Sequence, residues 1–157
     1  INGKAARMFC PNDNITREEF VKIIAYTFLK GEDNTKASFA DVDENAWYAE
    51  SISKAYNCKI IGGIGDNLFG VGRNITREDM AVIAYKTAVY CGILEETEAL
   101  QDYKFDDDSD ISDYAKKAVY ALTESEIING MGNDMFMPKH FLTRAQAAKI
   151  IYAIHSL

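Results

Sequence analysis

Basic surplus, proline, histidine and long apolar runs are all scarce in this chain. Its 157 residues carry 17 Lys and Arg against 24 Asp and Glu, for a net charge of −7. With no basic excess to release counterions, non-specific binding to nucleic acid or to an anionic membrane is excluded as a primary function. No apolar stretch approaches about 18 residues, so no transmembrane segment is expected. Only two prolines, together with 48% hydrophobic content, leave ample material for a buried helical core. The three cysteines (Cys10, Cys58, Cys91) and two histidines (His140, His155) stand apart from one another. None falls at metal-ligand spacing, and no Ser, Cys or His sits in a nucleophile and base arrangement. No metal, cofactor or catalytic residue is therefore expected, and the cysteines read as small buried hydrophobes.

What the chain does have is a repeat. Thr16-Arg17-Glu18, Thr76-Arg77-Glu78 and Thr143-Arg144-Ala145 each open a stretch of helical periodicity, at intervals of 60 and 67 residues. Upstream positions keep the same offsets: Gly3, Gly63 and Gly130 align, as do Phe9, Phe69 and Phe136. Further back, Phe39-Ala40-Asp41 matches Phe105-Asp106-Asp107, and Trp47-Tyr48-Ala49 matches Tyr114-Ala115-Lys116. The longer second interval is absorbed by insertions around Glu95-Glu96-Thr97-Glu98 and before Tyr114, both loop positions where extra residues are tolerated. Each unit reads as one supersecondary element that cannot bury its apolar face alone.

The coarse reading of a unit is helix, glycine-bearing loop, helix. First helices are expected at 46–58 and 112–125, and second helices at 16–30, 76–91 and 143–156. Phe20, Ile23, Ile24 and Phe28, and likewise Ala147, Ile150, Ile151 and Ile154, form apolar stripes facing a core. The only strand signal is short extended pieces near Ile60-Ile61 and Leu68-Phe69. Nothing equivalent to the Phe-x-Asp and Trp segment precedes Gly3, so residues 1–31 read as the second half of a first repeat. Residues 32–92 and 93–157 read as a second and a third, all within one mainly α module.

The threonines fit capping boxes with Glu19, Asp79 and Gln146. The arginines need another reason, because a cation in the first turn faces the positive end of the helix dipole. One reading is an anion site: free amides at the helix start, plus a planar fork suited to carboxylate or phosphate. The other is a simple ion pair with Glu18, Asp41 or Asp107. The glycine runs 62–65 and 130–132 read as tight turns or as places of close ligand approach. The acidic runs 41–44 and 106–110 lack the central Gly and twelfth-position Glu of an EF-hand. They read as solvated helix starts, the alternative being an irregular calcium site.

Taken together, these residues resemble the S-layer homology domain family. The similarity is carried by Phe39-Ala40-Asp41-Val42, Trp47, the Gly63 and Gly130 turns, Phe136-Met137-Pro138, and the Ile75-Thr76-Arg77-Glu78 and Leu142-Thr143-Arg144 segments. The resemblance implies three repeats about a pseudo-threefold axis, with a central three-helix bundle and loop-rich prongs. It implies non-covalent anchoring of an exported protein to the bacterial cell wall or surface layer. The implied ligand is a secondary cell-wall polysaccharide ending in pyruvylated N-acetylmannosamine, held in grooves between repeats. By position, Arg17, Arg77 and Arg144 are the implied anion anchors and Asp41 and Asp107 the sugar-hydroxyl acceptors. Trp47 is the implied groove wall, and Gly63 and Gly130 the close-approach positions. Arg77→Ala and Arg144→Ala are expected to weaken retention on the polymer with the fold intact. Val71 in place of proline, Tyr114 in place of Trp, and Ala5-Ala6-Arg7 in place of a Gly-rich turn depart from the pattern, so one or two competent grooves are expected. The competing reading is a protein-interaction module that self-associates.

Overall fold

The computed structural model describes residues 8–96 and 104–157. The turn expected around Gly3 and Ala5-Ala6-Arg7, and the insertion from Thr97 onward, lie outside them. Five helices are seen: α1 (Arg17–Phe28), α2 (Ala49–Asn57), α3 (Arg77–Tyr90), α4 (Asp113–Glu124) and α5 (Arg144–His155). A 3-10 turn at Asp108–Asp110 precedes α4. The architecture is mainly α, as the periodicity predicts. All five helices start within three residues and stop within two of the expected bounds.

The second helices begin where their threonines dictate. Thr16 and Thr143 form full capping boxes with Glu19 and Gln146. At α3 only half of the box exists. Thr76 accepts from the Asp79 amide, but the Asp79 carboxylate, one methylene short, accepts the Tyr114 hydroxyl instead.

α1, α3 and α5 gather at the centre: α3 packs against both others, and Phe28 of α1 meets His155 of α5 edge-on at 6.2 Å. α2 packs on α1 and α4 on α3, so each outer helix covers the inner helix of the preceding unit. Phe20, Ile24, Ile52, Met80, Leu122 and Ile154 are among the fully buried side chains of one continuous core.

A closed ring of backbone bonds ties the units together. Ile15 N–H donates to Leu142 O (3.0 Å), Leu142 N–H to Ile75 O (2.9 Å), and Ile75 N–H to Ile15 O (3.1 Å). The three residues occupy the same position in their repeats, and all are buried. Such a triangle closes only around a threefold pseudo-axis. Three isolated bridges flank it, Asn14 with Thr143, Thr16 with Asn74 and Thr76 with Phe141, and no strand forms among the described residues. The extended signal thus belongs to the residues before each threonine, where neighbouring units pair, and not to Ile60-Ile61 or Leu68-Phe69.

Candidate functional site

The ring carries each inner helix start onto a loop of the next unit. Arg77 N–H donates to His140 O and Glu78 N–H to Pro138 O. Arg144 N–H donates to Asp13 O and Ala145 N–H to Pro11 O. The third amide of each helix goes to its Thr hydroxyl. Arg17 N–H likewise donates to Arg73 O, while Gly72 N–H donates to the Glu18 carboxylate. The expectation of free amides awaiting an anion is overturned at α3 and α5. Neighbouring carbonyls already satisfy the helix starts, the usual demand on buried backbone.

The arginines extend the same interface. Arg77 is 4% exposed; its Nε donates to Phe136 O at 2.8 Å, its Nη2 to Asn129 O at 3.1 Å, and its guanidinium lies 4.7 Å over the Phe136 ring. Arg144, equally buried, donates from Nε to Phe9 O at 3.0 Å, lies over the Phe9 ring and approaches Glu19 at 3.8 Å. Acceptor and ring recur at equivalent positions, always in the following unit. Carbonyl partners and an aromatic face explain a first-turn cation that the helix dipole disfavours. Direct ion pairs with Glu18, Asp41 or Asp107 do not form, although Arg144 has the neighbouring acid Glu19 and Asp107 favours the Arg77 cation from a distance. The fold also draws on these side chains, so Arg77→Ala and Arg144→Ala would cost stability as well as any ligand contact.

Arg17 departs from this pattern. Its Nη2 reaches Gly62 O at 3.3 Å and its guanidinium lies 5.2 Å from the Phe69 ring, but its Nε is buried with no hydrogen-bond partner. Burial holds the guanidinium below its ordinary pKa, against the opposing influence of Asp79 and Tyr114. It stays cationic all the same. Arg17 lines an open groove of about 540 Å³, together with Gly62, Gly63 and Ile64 of the glycine turn and Asp79, Lys86 and Tyr114. Three units meet there: the arginine from the first, the turn and α3 from the second, the tyrosine from the third.

Asp41 and Asp107 are clamps within their own units. Asp41 accepts Phe69 N–H at 2.7 Å on one oxygen, and Gly70 N–H (2.7 Å) and Val71 N–H (2.9 Å) on the other. Partial burial would raise its pKa, but the three amides outweigh it and hold the carboxyl below the usual range. Asp107 accepts Phe136 N–H at 2.8 Å and Met137 N–H at 2.7 Å. It has no third amide because Pro138 stands where the second unit has Val71. These oxygens are committed to backbone, which makes both residues positioning groups for the Phe69 and Phe136 loops.

Gly63 and Gly130 are required by their own turns. A Cβ at Gly63 would lie 2.7 Å from Leu68 O and 3.3 Å from Phe39, and one at Gly130 would lie 2.9 Å from Met135 O and 3.2 Å from Phe105. Trp47 is 54% exposed beside α1, with the Lys22 ammonium 4.6 Å over its ring. It does not line the Arg17 groove, whereas its counterpart Tyr114 does. Of the cysteines, Cys10 and Cys58 are half-buried and Cys91 is exposed, so the buried-hydrophobe reading fails for Cys91. Sequence reasoning missed Glu78, 5% exposed, which collects Ser112, Tyr114 and Lys139 and pins the start of α4 to α3. Its place in the repeated Thr-Arg-Glu segment was the available signal.

The fold defines a class: a cyclic repeat module whose units are joined through buried arginines, with an open recess at the joint of Arg17. The chain belongs to the S-layer homology domain family, which it matches over residues 1–21, 38–81 and 104–148. It is 36% identical over 154 residues to "Exoglucanase XynX" of Acetivibrio thermocellus, covering 98% of this chain and 14% of that protein. It is 35% identical to "Amylopullulanase" of Thermoanaerobacterium thermosulfurigenes, over 98% of this chain and 8% of the relative. The "Cellulosome-anchoring protein" of Acetivibrio thermocellus is 25% identical over 96% of this chain, which spans 34% of that relative. The shared portion is thus a small part of each large protein. This chain is a bacterial cell-surface anchoring module. No described helix is long and apolar enough to cross a membrane.

Proposed function

We propose that the chain is a non-catalytic wall anchor that holds a secondary cell-wall polysaccharide by an acidic terminal sugar, pyruvylated N-acetylmannosamine. The groove headed by Arg17 is the binding site. The observation that carries this reading is the unpartnered, buried Nε of Arg17, a side chain that lines an open recess, where its two equivalents are spent on carbonyls. A ketal carboxylate supplies the missing acceptor. Tyr114 and Ile64 offer apolar surface to the sugar ring, and the turn at Gly63 gives the recess its floor. Arg77, Asp41, Asp107 and Gly130 hold the joints and loops of the module. Its units are taken as 1–31, 32–92 and 93–157.

Calorimetry with a synthetic pyruvylated monosaccharide tests the proposal. Binding with a stoichiometry of one at the tight site is expected, falling about 10- to 100-fold in Arg17→Gln, since a charge-assisted bond is lost. Removal of the pyruvyl group should abolish it. Equal affinity for the ketal and the unmodified sugar would overturn the reading.

A further inference from the structure

The Arg17 groove does not end at Tyr114. A second cavity of about 470 Å³ adjoins it, and the two share Val82, Lys86 and Tyr114 as a common wall. α3 and α4 line it with Tyr85, Tyr90 and Lys117, and Lys59 enters from beyond α2. Tyr85 is 7% exposed, and its hydroxyl is buried with no hydrogen-bond partner. The comparably buried Tyr120 shows the ordinary arrangement, donating to Asp108 at 2.7 Å. An unpaired buried hydroxyl is unfavourable, and a buried tyrosine normally finds a partner. The lysines make the cavity cationic, with Glu96 offsetting one of them through Lys117 at 3.6 Å. Lys117 also lies 6.0 Å over the Tyr85 ring, a long side chain whose rotation would uncover the hydroxyl.

We propose that this cavity is a second subsite, which takes the saccharide unit adjoining the one held at Arg17 and anchors it through the Tyr85 hydroxyl. The proposal rests on the wall-anchor reading above. Tyr114, standing between the cavities, contacts both sugars, and the lysines favour an acidic substituent on the second.

Two probes separate the sites: the pyruvylated monosaccharide, and a disaccharide in which the same terminal unit is linked to a second N-acetylhexosamine. Calorimetry on the unmodified chain should show the disaccharide binding about tenfold tighter. Tyr85→Phe removes one oxygen and nothing else; it should cancel most of that gain and leave monosaccharide binding unchanged. Equal affinities of the unmodified chain for both probes, or an equal effect of Tyr85→Phe on both, would sink the subsite while the Arg17 site stands. If neither probe binds, both proposals fall.

Discussion

Substituting alanine for Arg77 and for Arg17 removes the same atoms from equivalent positions, yet the two should differ in what they damage. Arg77 gives up two bonds from a charged donor, at 2.8 and 3.1 Å, and a desolvated contact with the Phe136 ring at 4.7 Å. Bonds of that type contribute about 1.5–3 kcal/mol each, and the ring contact about 1–2 kcal/mol. Deletion also relieves the cost of burying a cation, several kcal/mol, so the net loss should be about 3 kcal/mol. Arg17 gives up one bond at 3.3 Å and a ring contact at 5.2 Å, and its removal eliminates an unpaired buried donor. Its net loss should be about 1 kcal/mol. Urea unfolding reads the difference directly. With a slope of about 2 kcal/mol per molar, the midpoint of Arg77→Ala should lie about 1 M below that of Arg17→Ala at unchanged slope. Polymer binding should rank them the other way, Arg17→Ala losing more. Equal midpoints, or Arg17→Ala the less stable, would refute the idea that two of the three arginines serve the fold and one is held back.

Gly63→Ala should destabilise by about 1–3 kcal/mol, because its Cβ would sit 2.7 Å from Leu68 O, whereas Gly62→Ala, with nothing within 4 Å, should be nearly neutral in thermal unfolding. Met137 has φ 58° at the position where the second unit has Gly70 at φ 97°; Met137→Gly should therefore raise stability by about 0.5–1 kcal/mol, and a lowered melting temperature would count against it. Asp41→Asn should lose about 1–2 kcal/mol at pH 7, the partly exposed setting trimming the worth of three amide bonds. The Asp41 carboxyl titrates lower folded than unfolded, so its stabilisation is present above the unfolded value near pH 4 and fades as pH falls through the folded one. Unfolding midpoints of the two proteins should converge in acid; a gap unchanged at pH 2 contradicts the clamp.

The repeat, its helices and their caps were legible because they are local. A threonine followed three residues later by Glu or Gln caps a helix whatever lies beyond it, and a 3.6-residue stripe declares its buried face. The arginines were visible as an anomaly but not as a solution. Their acceptors are main-chain carbonyls 45 to 135 residues away, and a carbonyl leaves no mark in an amino-acid sequence. Asp41 and Asp107 misled for the same reason: the amides they gather belong to residues of any type. Tyr85 lay within an apolar stripe, where only the loss of a partner distinguishes it from core.

One asymmetry then links architecture to function. A ring of three equivalent interfaces, each sealed by an arginine on a carbonyl, would be the more stable arrangement and would bind nothing. At Arg17 the seal is incomplete: the Nε is unpaired, the single remaining bond is long, and the recess above it is open. An unsatisfied donor in a pre-formed cavity is stability withheld from folding and available to a ligand that supplies the acceptor. Repetition builds the scaffold. The departure from repetition at one of its three joints is where the chemistry for an anion remains.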